Sequence, residues 1–146
     1  MKPAHVVENV IMNIEGGCLC SSIRYHLTEL PLFSIICHCQ TCRKASAAPS
    51  VGWVTFNRTS FEFVSGNPSV YQSSVGVFRT FCSLCGTPLT YANDQTSDIL
   101  DITTGSLDEP HRFPPDREVW LEHKLGWEAA NDSLGQYSKD SDDTDS

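Results

Sequence analysis

The sequence predicts a single domain that is mainly β, with few and short helices. Runs of alternating or aromatic-rich residues recur along the chain. Clusters of Gly-Asn-Pro, Gly-Thr-Pro and Pro-Pro-Asp at 66–68, 86–88 and 114–116 separate some of these runs, as turns separate strands. A chain of 146 residues fits one domain that can fold alone.

The predicted strands follow one another and leave little room for helix. The first, Ile-Arg-Tyr-His-Leu at 23–27, alternates apolar and polar residues with the period of two that is typical of a half-buried strand. Only 43–48 and 127–134 have the composition of short helices. In chain order, the predicted strands are 23–27, 33–37, 51–56, 61–64, 77–82, 89–91, 99–103 and 119–121.

Charge and hydropathy limit the partners that we expect. The domain is predicted to span 1–137, before an acidic, disordered tail at 138–146 that has no apolar residue. The net charge is -8 and no basic stripe is visible, so we expect no nucleic-acid partner. No apolar run reaches the roughly 18 residues that span a membrane, and Glu8 interrupts the opening hydrophobic stretch. We therefore expect no membrane insertion, no secretory signal and a cytoplasmic location.

Seven cysteines are the most informative feature of the sequence. A reducing cytosol keeps thiols free, and an odd number cannot pair completely, so metal ligation is favoured over a disulfide framework. The cysteines fall into three groups, which are Cys18 with Cys20, then Cys37, Cys39 and Cys42, then Cys82 with Cys85.

Four of these cysteines have the pattern of a closed structural zinc site. Cys82 and Cys85 are followed directly by Gly86, as in a zinc knuckle, where a tight turn directs two thiolates at one ion. Cys18 and Cys20 can complete the site, because alternate residues of an extended segment point to the same side. Gly16 and Gly17 precede them and free the backbone there.

The other three cysteines predict an open, reactive site. The sulfurs of Cys37, Cys39 and Cys42 can surround one ion and leave its fourth position for a substrate. Arg43 and Lys44 follow directly, either to offset the negative charge or bind a substrate carboxylate, or simply as solvated charges. A second structural site and ordinary buried thiols are the alternatives for the trio. His38 would point away from the ligands and pack or contact solvent.

Taken together, these segments resemble the glutathione-dependent formaldehyde-activating enzyme family, which also includes centromere protein V. The resemblance rests on Gly-Gly-Cys-Leu-Cys at 16–20, Arg-Tyr at 24–25, Cys-His-Cys-Gln-Thr-Cys-Arg-Lys at 37–44 and Phe-Cys-Ser-Leu-Cys-Gly-Thr-Pro-Leu at 81–89. Further similar segments are Tyr-Gln-Ser-Ser at 71–74 and Thr-Gly-Ser-Leu-Asp at 104–108.

The resemblance implies several coiled antiparallel β-sheets in a β-tent-like fold organised around two zinc ions. Cys18, Cys20, Cys82 and Cys85 match the structural ligands, and Cys37, Cys39 and Cys42 match the catalytic ones. The implied reaction is the condensation of formaldehyde with glutathione to S-hydroxymethylglutathione, a carbon–sulfur lyase activity in the formal classification. One departure is Ala-Ser-Ala-Ala at 45–48, where the family often has a glycine, so the loop beside the reactive site is expected to differ in shape.

The leading hypothesis is a zinc-dependent enzyme that acts on a thiol–aldehyde adduct, with glutathione and an aldehyde as its small-molecule partners. Two alternatives stay open: a thiol redox enzyme with one structural zinc and a Cys39–Cys42 dithiol, or a non-enzymatic zinc-binding interaction module. Cationic candidates for the carboxylates of glutathione are Arg24, Arg43, Lys44 and Arg79.

Overall fold

A computed structural model describes residues 12–141 of the chain. Residues 1–11 and 142–146 lie outside the described part, and with them most of the opening segment and the end of the predicted acidic tail. Within residues 12–141 no helix is long and apolar enough to cross a membrane.

The prediction of a mainly β fold is confirmed. The described residues form eleven strands in two sheets, with one α-helix, α1 (Gln40–Ser46), and five short 3-10 turns. The strands are β1 (Ile14–Gly17), β2 (Arg24–Leu27), β3 (Phe33–Cys37), β4 (Val51–Asn57), β5 (Phe61–Ser65), β6 (Ser69–Ser74), β7 (Val77–Phe81), β8 (Pro88–Asn93), β9 (Ile99–Thr103), β10 (Arg117–Val119) and β11 (Gly135–Gln136).

The two sheets differ in size and in strand direction. The smaller sheet has the antiparallel order β1-β2-β5, and the larger has the order β11-β10-β3-β4-β9-β8-β7-β6. The larger sheet is antiparallel from β3 to β6, but β10 pairs in parallel with both β3 and β11. The expectation of purely antiparallel sheets is therefore wrong at this end. Here β10 pairs with β3 after the chain has formed strands β4 to β9.

Two apolar clusters lie on opposite faces of the larger sheet, and β4 contributes to both. Val54 and Phe56 face the main core, which also contains Tyr25 and Leu27 of the smaller sheet. Val51 and Trp53 belong to the second cluster, together with two cysteines, Cys37 and Cys42. Successive strand residues point to opposite faces, so β4 supports the hydrophobic core on one face and the candidate site on the other.

The sequence did not indicate three of the strands. β1 ends in two glycines, β11 has two residues and β6 is a largely exposed edge strand rich in serine, so none carries a strong apolar alternation. Gly16 and Gly17 are needed for space rather than for a left-handed backbone. A Cβ at Gly16 would overlap the Tyr25 hydroxyl, and one at Gly17 would overlap the carbonyl of Ile23.

The predicted helix at 127–134 is wrong, because polar groups in this segment make contacts that a helix would prevent. The Nζ atom of Lys124 donates to the carbonyl of Glu128 at 2.7 Å. The side chain of Asn131 accepts from the N–H of Ser133 at 3.0 Å, which makes a local turn. The N–H of Asn131 donates to the buried carboxylate of Glu118 at 2.5 Å. These bonds hold an irregular loop against β10.

Candidate metal and active site

The structure brings the seven cysteines together as the two groups that the spacing predicts. Ligand atoms within each group all lie within 4.8 Å of one another. One group contains Cys18, Cys20, Cys82 and Cys85, and the other contains Cys37, Cys39 and Cys42.

The four-cysteine group joins the segment after β1 to the turn between β7 and β8. The Sγ atoms of Cys18 and Cys20 are 3.6 Å apart, and those of Cys20 and Cys82 are 3.8 Å apart. The backbone N–H groups of Leu84 and Cys85 both donate to the Cys82 sulfur at 3.4 Å. Gly86 has φ +82°, and its N–H donates to the Cys82 carbonyl, so glycine is required to close the turn.

Hydrogen bonds to the sulfurs of Cys18 and Cys85 favour the thiolates of these two residues, the forms that bind metals. The hydroxyl and the N–H of Thr87 lower the pKa of Cys85 to about 5. Burial disfavours the Cys18 thiolate, but bonds from the Ile23 N–H and the Ser22 hydroxyl outweigh it and lower the pKa of Cys18 to about 7. Ser22 Oγ lies 3.1 Å from the Cys20 sulfur, a contact that the sequence pattern did not indicate.

The donor set of this group fits a tetrahedral metal ion. Four thiolate ligands at about 2.3 Å from zinc place neighbouring sulfurs about 3.8 Å apart. The observed separations of 3.6 and 3.8 Å match that arrangement. Among divalent cations, thiolate-only donor sets select zinc over magnesium or calcium.

The three-cysteine group is built at the junction of β3 and α1. Cys37 is the last residue of β3, Cys39 caps the N-terminus of α1, and Cys42 lies within the helix. The Cys39 sulfur accepts from the Cys42 N–H at 3.2 Å, so one short turn orients two of the three sulfurs. Bonds from Cys37 and Cys42 hold the pKa of the Cys39 thiol well below its usual range, while bonding to Cys39 raises that of Cys37.

A cavity of about 340 Å³ opens over this group, and one face of the larger sheet forms part of its wall. Directly paired residues share a face of a sheet. Arg79 is paired with Tyr91, Tyr91 with Asp101, and Asp101 with Thr55. We call these four residues the cross-strand row. Trp53, two positions before Thr55, packs against the Tyr91 ring at 5.9 Å.

Arg79 is a buried cation beside the sulfur of Cys42. Its guanidinium nitrogens lie 3.8 and 4.0 Å from the Cys42 sulfur. Its Nε atom donates to Ser73 at 3.1 Å, and its guanidinium lies 5.0 Å from the centre of the Tyr91 ring. Arg79 is 9% exposed. Arg79 thus lies where a cation can offset negative charge on the trio, which was one of the roles left open for Arg43 and Lys44.

A second cavity, of about 510 Å³, adjoins the first and shares Thr41, Trp53 and Arg79 with it. Its wall is mainly apolar and includes Tyr71, with Lys44 as a second cation. Two of the cationic candidates lie outside both cavities. Arg24 forms a bidentate pair with Asp108, and the Nε atom of Arg43 donates to the carbonyl of His38 at 3.2 Å.

His38 packs inside the protein, in agreement with one of its two predicted environments. It is 1% exposed and belongs to neither group of candidate ligands. Its Nε2 atom lies 2.7 Å from the carboxylate of Glu118, and its Nδ1 atom lies 3.5 Å from that of Glu128. His38 therefore anchors the segment between two of the cysteines to β10 and to the loop after it.

The sequence did not identify Asp101 or the position of Arg79 beside Cys42. Both are charged residues within predicted strands, where a charge has to face either solvent or a polar site. That signal marks them as unusual, but only the strand register places Arg79 beside Cys42 and Asp101 on the wall of the cavity over the trio.

Comparisons with known proteins agree with this description. Residues 13–123 match the family described as glutathione-dependent formaldehyde-activating enzyme. A Schizosaccharomyces pombe protein named as an uncharacterized lyase is 41% identical over 81 residues, which cover 53% of this chain and 56% of the relative. The match thus spans little more than half the length of that curated relative. A solved Rhodobacter sphaeroides protein shares the fold with a TM-score of 0.56 and 19% identity, covering 64% of this chain and 87% of that one.

Fold and site together define a mainly β protein with two cysteine groups that could bind metal ions, one of which opens into a cavity. The family match over residues 13–123 is more specific than this class. The chain belongs to the glutathione-dependent formaldehyde-activating enzyme family.

Proposed function

We propose that the chain is a zinc-dependent enzyme of the carbon–sulfur lyase type that forms or breaks the adduct of a thiol and an aldehyde. S-hydroxymethylglutathione is the candidate adduct. Cys18, Cys20, Cys82 and Cys85 would hold a structural zinc ion, and Cys37, Cys39 and Cys42 would hold a reactive one. The observation that carries the proposal is the second group, in which three sulfurs rather than four converge beside a cavity.

The chemistry of the reactive group follows from its donor set. A zinc ion held by three thiolates would supply a Lewis acid that stabilises a thiolate or polarises an aldehyde oxygen. The guanidinium of Arg79, which is buried beside Cys42, offsets the negative charge of the three thiolates.

The two adjoining cavities suit a substrate with a small reacting end and a larger remainder. The aldehyde carbon and the thiol would lie in the cavity over the three cysteines. The remainder of the thiol would extend past Trp53 and Arg79, which line both cavities. At that position Lys44 can contact a carboxylate. Membership of the family supports glutathione and formaldehyde as the first substrates to test.

Zinc content and the catalysed rate test the proposal together. Thiols and formaldehyde combine without an enzyme, so the spontaneous rate has to be subtracted. We expect two zinc ions per chain in protein purified without chelators, and one in Cys39→Ser. The corrected rate should be lost in that variant and retained in Ser83→Ala, a matched change at an exposed position of the other cysteine group.

Two results would contradict the proposal. Equal corrected rates in the wild type and Cys39→Ser would exclude a reactive role for the trio. A single zinc ion together with freely titratable thiols at Cys39 and Cys42 would instead favour the thiol redox alternative.

A further inference from the structure

Asp101 is a carboxylate on the wall of the candidate site that has no role in the proposed function. It lies in β9, within the cross-strand row, and lines the cavity over the three cysteines. Its Oδ1 atom accepts a hydrogen bond of 2.5 Å from the Thr55 hydroxyl. Among residues 12–141 no other side chain donates to this carboxylate, so the Thr55 hydroxyl alone orients it.

The surroundings of Asp101 favour its neutral form more than is usual for an aspartate. Burial raises the pKa of Asp101 to about 6, with the Thr55 hydroxyl acting in the opposite direction and Asp140 adding to the rise. Tyr91 flanks it on β8, and Arg79 lies one strand further away, beside Cys42. The remaining titratable groups around the cavity are the three cysteines, His123 and Asp140.

We propose that Asp101 is the proton-transfer residue of this cavity, a role that rests on the proposed function. A carboxyl group that can hold or release its proton near neutral pH suits general acid–base catalysis. The position of Asp101 on the cavity wall, fixed by Thr55, gives it access to a group that reacts above the three cysteines.

The proton balance assigns one task to Asp101 in each direction. When the adduct R–S–CH2–OH breaks down, the Asp101 carboxylate takes the hydroxyl proton, the C=O bond forms, and the electrons of the C–S bond leave with the sulfur as a thiolate. In synthesis the Asp101 carboxylate takes the proton of the bound thiol, the resulting thiolate attacks the carbonyl carbon, and protonated Asp101 gives that proton to the oxygen. No oxidant or reductant is needed.

The pH profile of the corrected kcat/KM tests this role. Asp101→Asn should lower the value by roughly 10²- to 10⁴-fold and abolish the limb near pH 6, with zinc content unchanged. Asp98→Asn is the matched control, because Asp98 is an exposed aspartate close to the start of the same strand, and it should behave as the wild type.

A second variant keeps the test decisive if Asp101→Asn does not fold. Thr55→Val removes the hydrogen bond to the carboxylate and keeps the shape of the side chain. The limb near pH 6 should then move to higher pH, because the charged form of Asp101 loses a donor. A limb that stays in place in Thr55→Val, or wild-type rates in folded Asp101→Asn, would overturn the role of Asp101.

A binding measurement separates this inference from the proposed function. Calorimetry of glutathione binding at pH 7, in buffers of different ionisation enthalpy, counts the protons released when a thiol binds as a thiolate. The wild type should release fewer protons than Asp101→Asn, because Asp101 accepts one. Equal proton counts would refute Asp101 as the acceptor, whereas a wild type without catalysed turnover would refute the proposed enzyme activity instead.

Discussion

Single residues set the electrostatics of the candidate site. Arg79 is a buried cation that contacts Ser73, the face of Tyr91 and the sulfur of Cys42. A buried charge that lacks a partner is costly, so Arg79 and a thiolate at Cys42 would stabilise one another. Removing either charge would leave the other one buried without an opposite charge nearby.

Arg79→Gln should therefore weaken metal retention by the trio. The variant removes the positive charge that favours the thiolate form of Cys42. We expect the zinc affinity of the three-cysteine group to fall by roughly 10- to 100-fold, the range typical of contacts just outside a metal's ligands. Competition with a chromogenic chelator measures this, and Arg58→Gln, at an exposed position, should leave the affinity unchanged.

Asp101 should also leave a signature in the pH dependence of stability. Its pKa is raised to about 6 in the folded chain, from a usual value of 3.8. The folded state thus binds more protons than the unfolded state between these values, and this carboxyl lowers stability as pH rises from about 4 to about 6. Asp101→Asn should remove a change of up to about 3 kcal/mol across this window.

Denaturant unfolding at pH 4, 5, 6 and 7 checks this prediction. The free energy of unfolding of the variant, relative to the wild type, should increase with pH across the window. A constant difference between the two proteins would show that Asp101 titrates normally.

At the scale of elements, α1 ends in a strained conformation. Ala47 has φ 52° and ψ 43°, and the N–H of Ala48 donates to the carbonyl of Arg43, as in helix ends where glycine is preferred. The departure at 45–48 thus changes the residue at a left-handed position but not the presence of the helix end. This strain lies five residues after Cys42.

Ala47→Gly should stabilise the protein. It relieves a left-handed conformation that costs an alanine roughly 1–2 kcal/mol, against an entropy cost of about 0.5–1 kcal/mol for glycine in the unfolded chain. A net gain of up to about 1 kcal/mol should appear in denaturant unfolding. Ala48→Gly, at a position without positive φ, should instead destabilise the chain.

The loop at 124–134 depends on one buried carboxylate. Glu118 is 3% exposed and accepts hydrogen bonds from His38, the N–H of Asn131 and Gln136. Burial disfavours its charge, but these bonds outweigh that effect and lower its pKa. The carboxylate therefore contributes stability at neutral pH that is lost as pH falls through its lowered pKa.

Glu118→Gln should cost about 2–4 kcal/mol of stability at pH 7, because an amide nitrogen would face donors that need an acceptor. Hydrogen exchange should show the 124–134 loop opening first. Glu122→Gln, at an exposed position, is the control. Unchanged protection of the Asn131 amide in Glu118→Gln would contradict the anchoring role.

Most of the sheet could be predicted from local patterns, because its inner strands alternate or carry aromatic residues. Local patterns could not exclude a helix at 127–134. The loop that replaces it is held by contacts with Glu118 and Lys124, and such tertiary contacts override weak helix propensity. The parallel pairing of β10 with β3 likewise joins residues that are far apart in the sequence.

At the scale of the whole molecule, the spacing of the cysteines was enough to predict how they group. It was not enough to predict Ser22 and Arg79 beside the sulfurs, or Asp101 on the cavity wall, because strand register and chain reversal bring these side chains there. The start of the acidic tail lies closer to the body than its composition suggests. The carbonyl of Lys139 accepts from the N–H of Trp120, and Asp140 lines the cavity over the trio. The boundary at 137 stays a prediction.

The two cysteine groups should respond differently to substitution. A structural zinc site contributes on the order of 10–16 kcal/mol, which is as much as the whole stability of a typical domain, about 5–15 kcal/mol. Cys82→Ser should therefore unfold the chain, whereas Cys39→Ser, at a half-exposed position at the start of α1, should leave it folded and inactive. Thermal unfolding with matched zinc analysis decides, and equal losses of stability would remove the distinction.

The four-cysteine group also constrains the order in which the chain can assemble. Its ligands come from residues 18–20 and 82–85, and the three-cysteine segment lies inside that interval. The trio closes a loop of six residues, which costs less entropy than the long loop between residues 18 and 85. Residues 37–42 also leave the ribosome before residue 82. The thiols of the trio are thus synthesised before the pair that completes the four-cysteine group, and the nascent chain carries five cysteines before its closing turn exists.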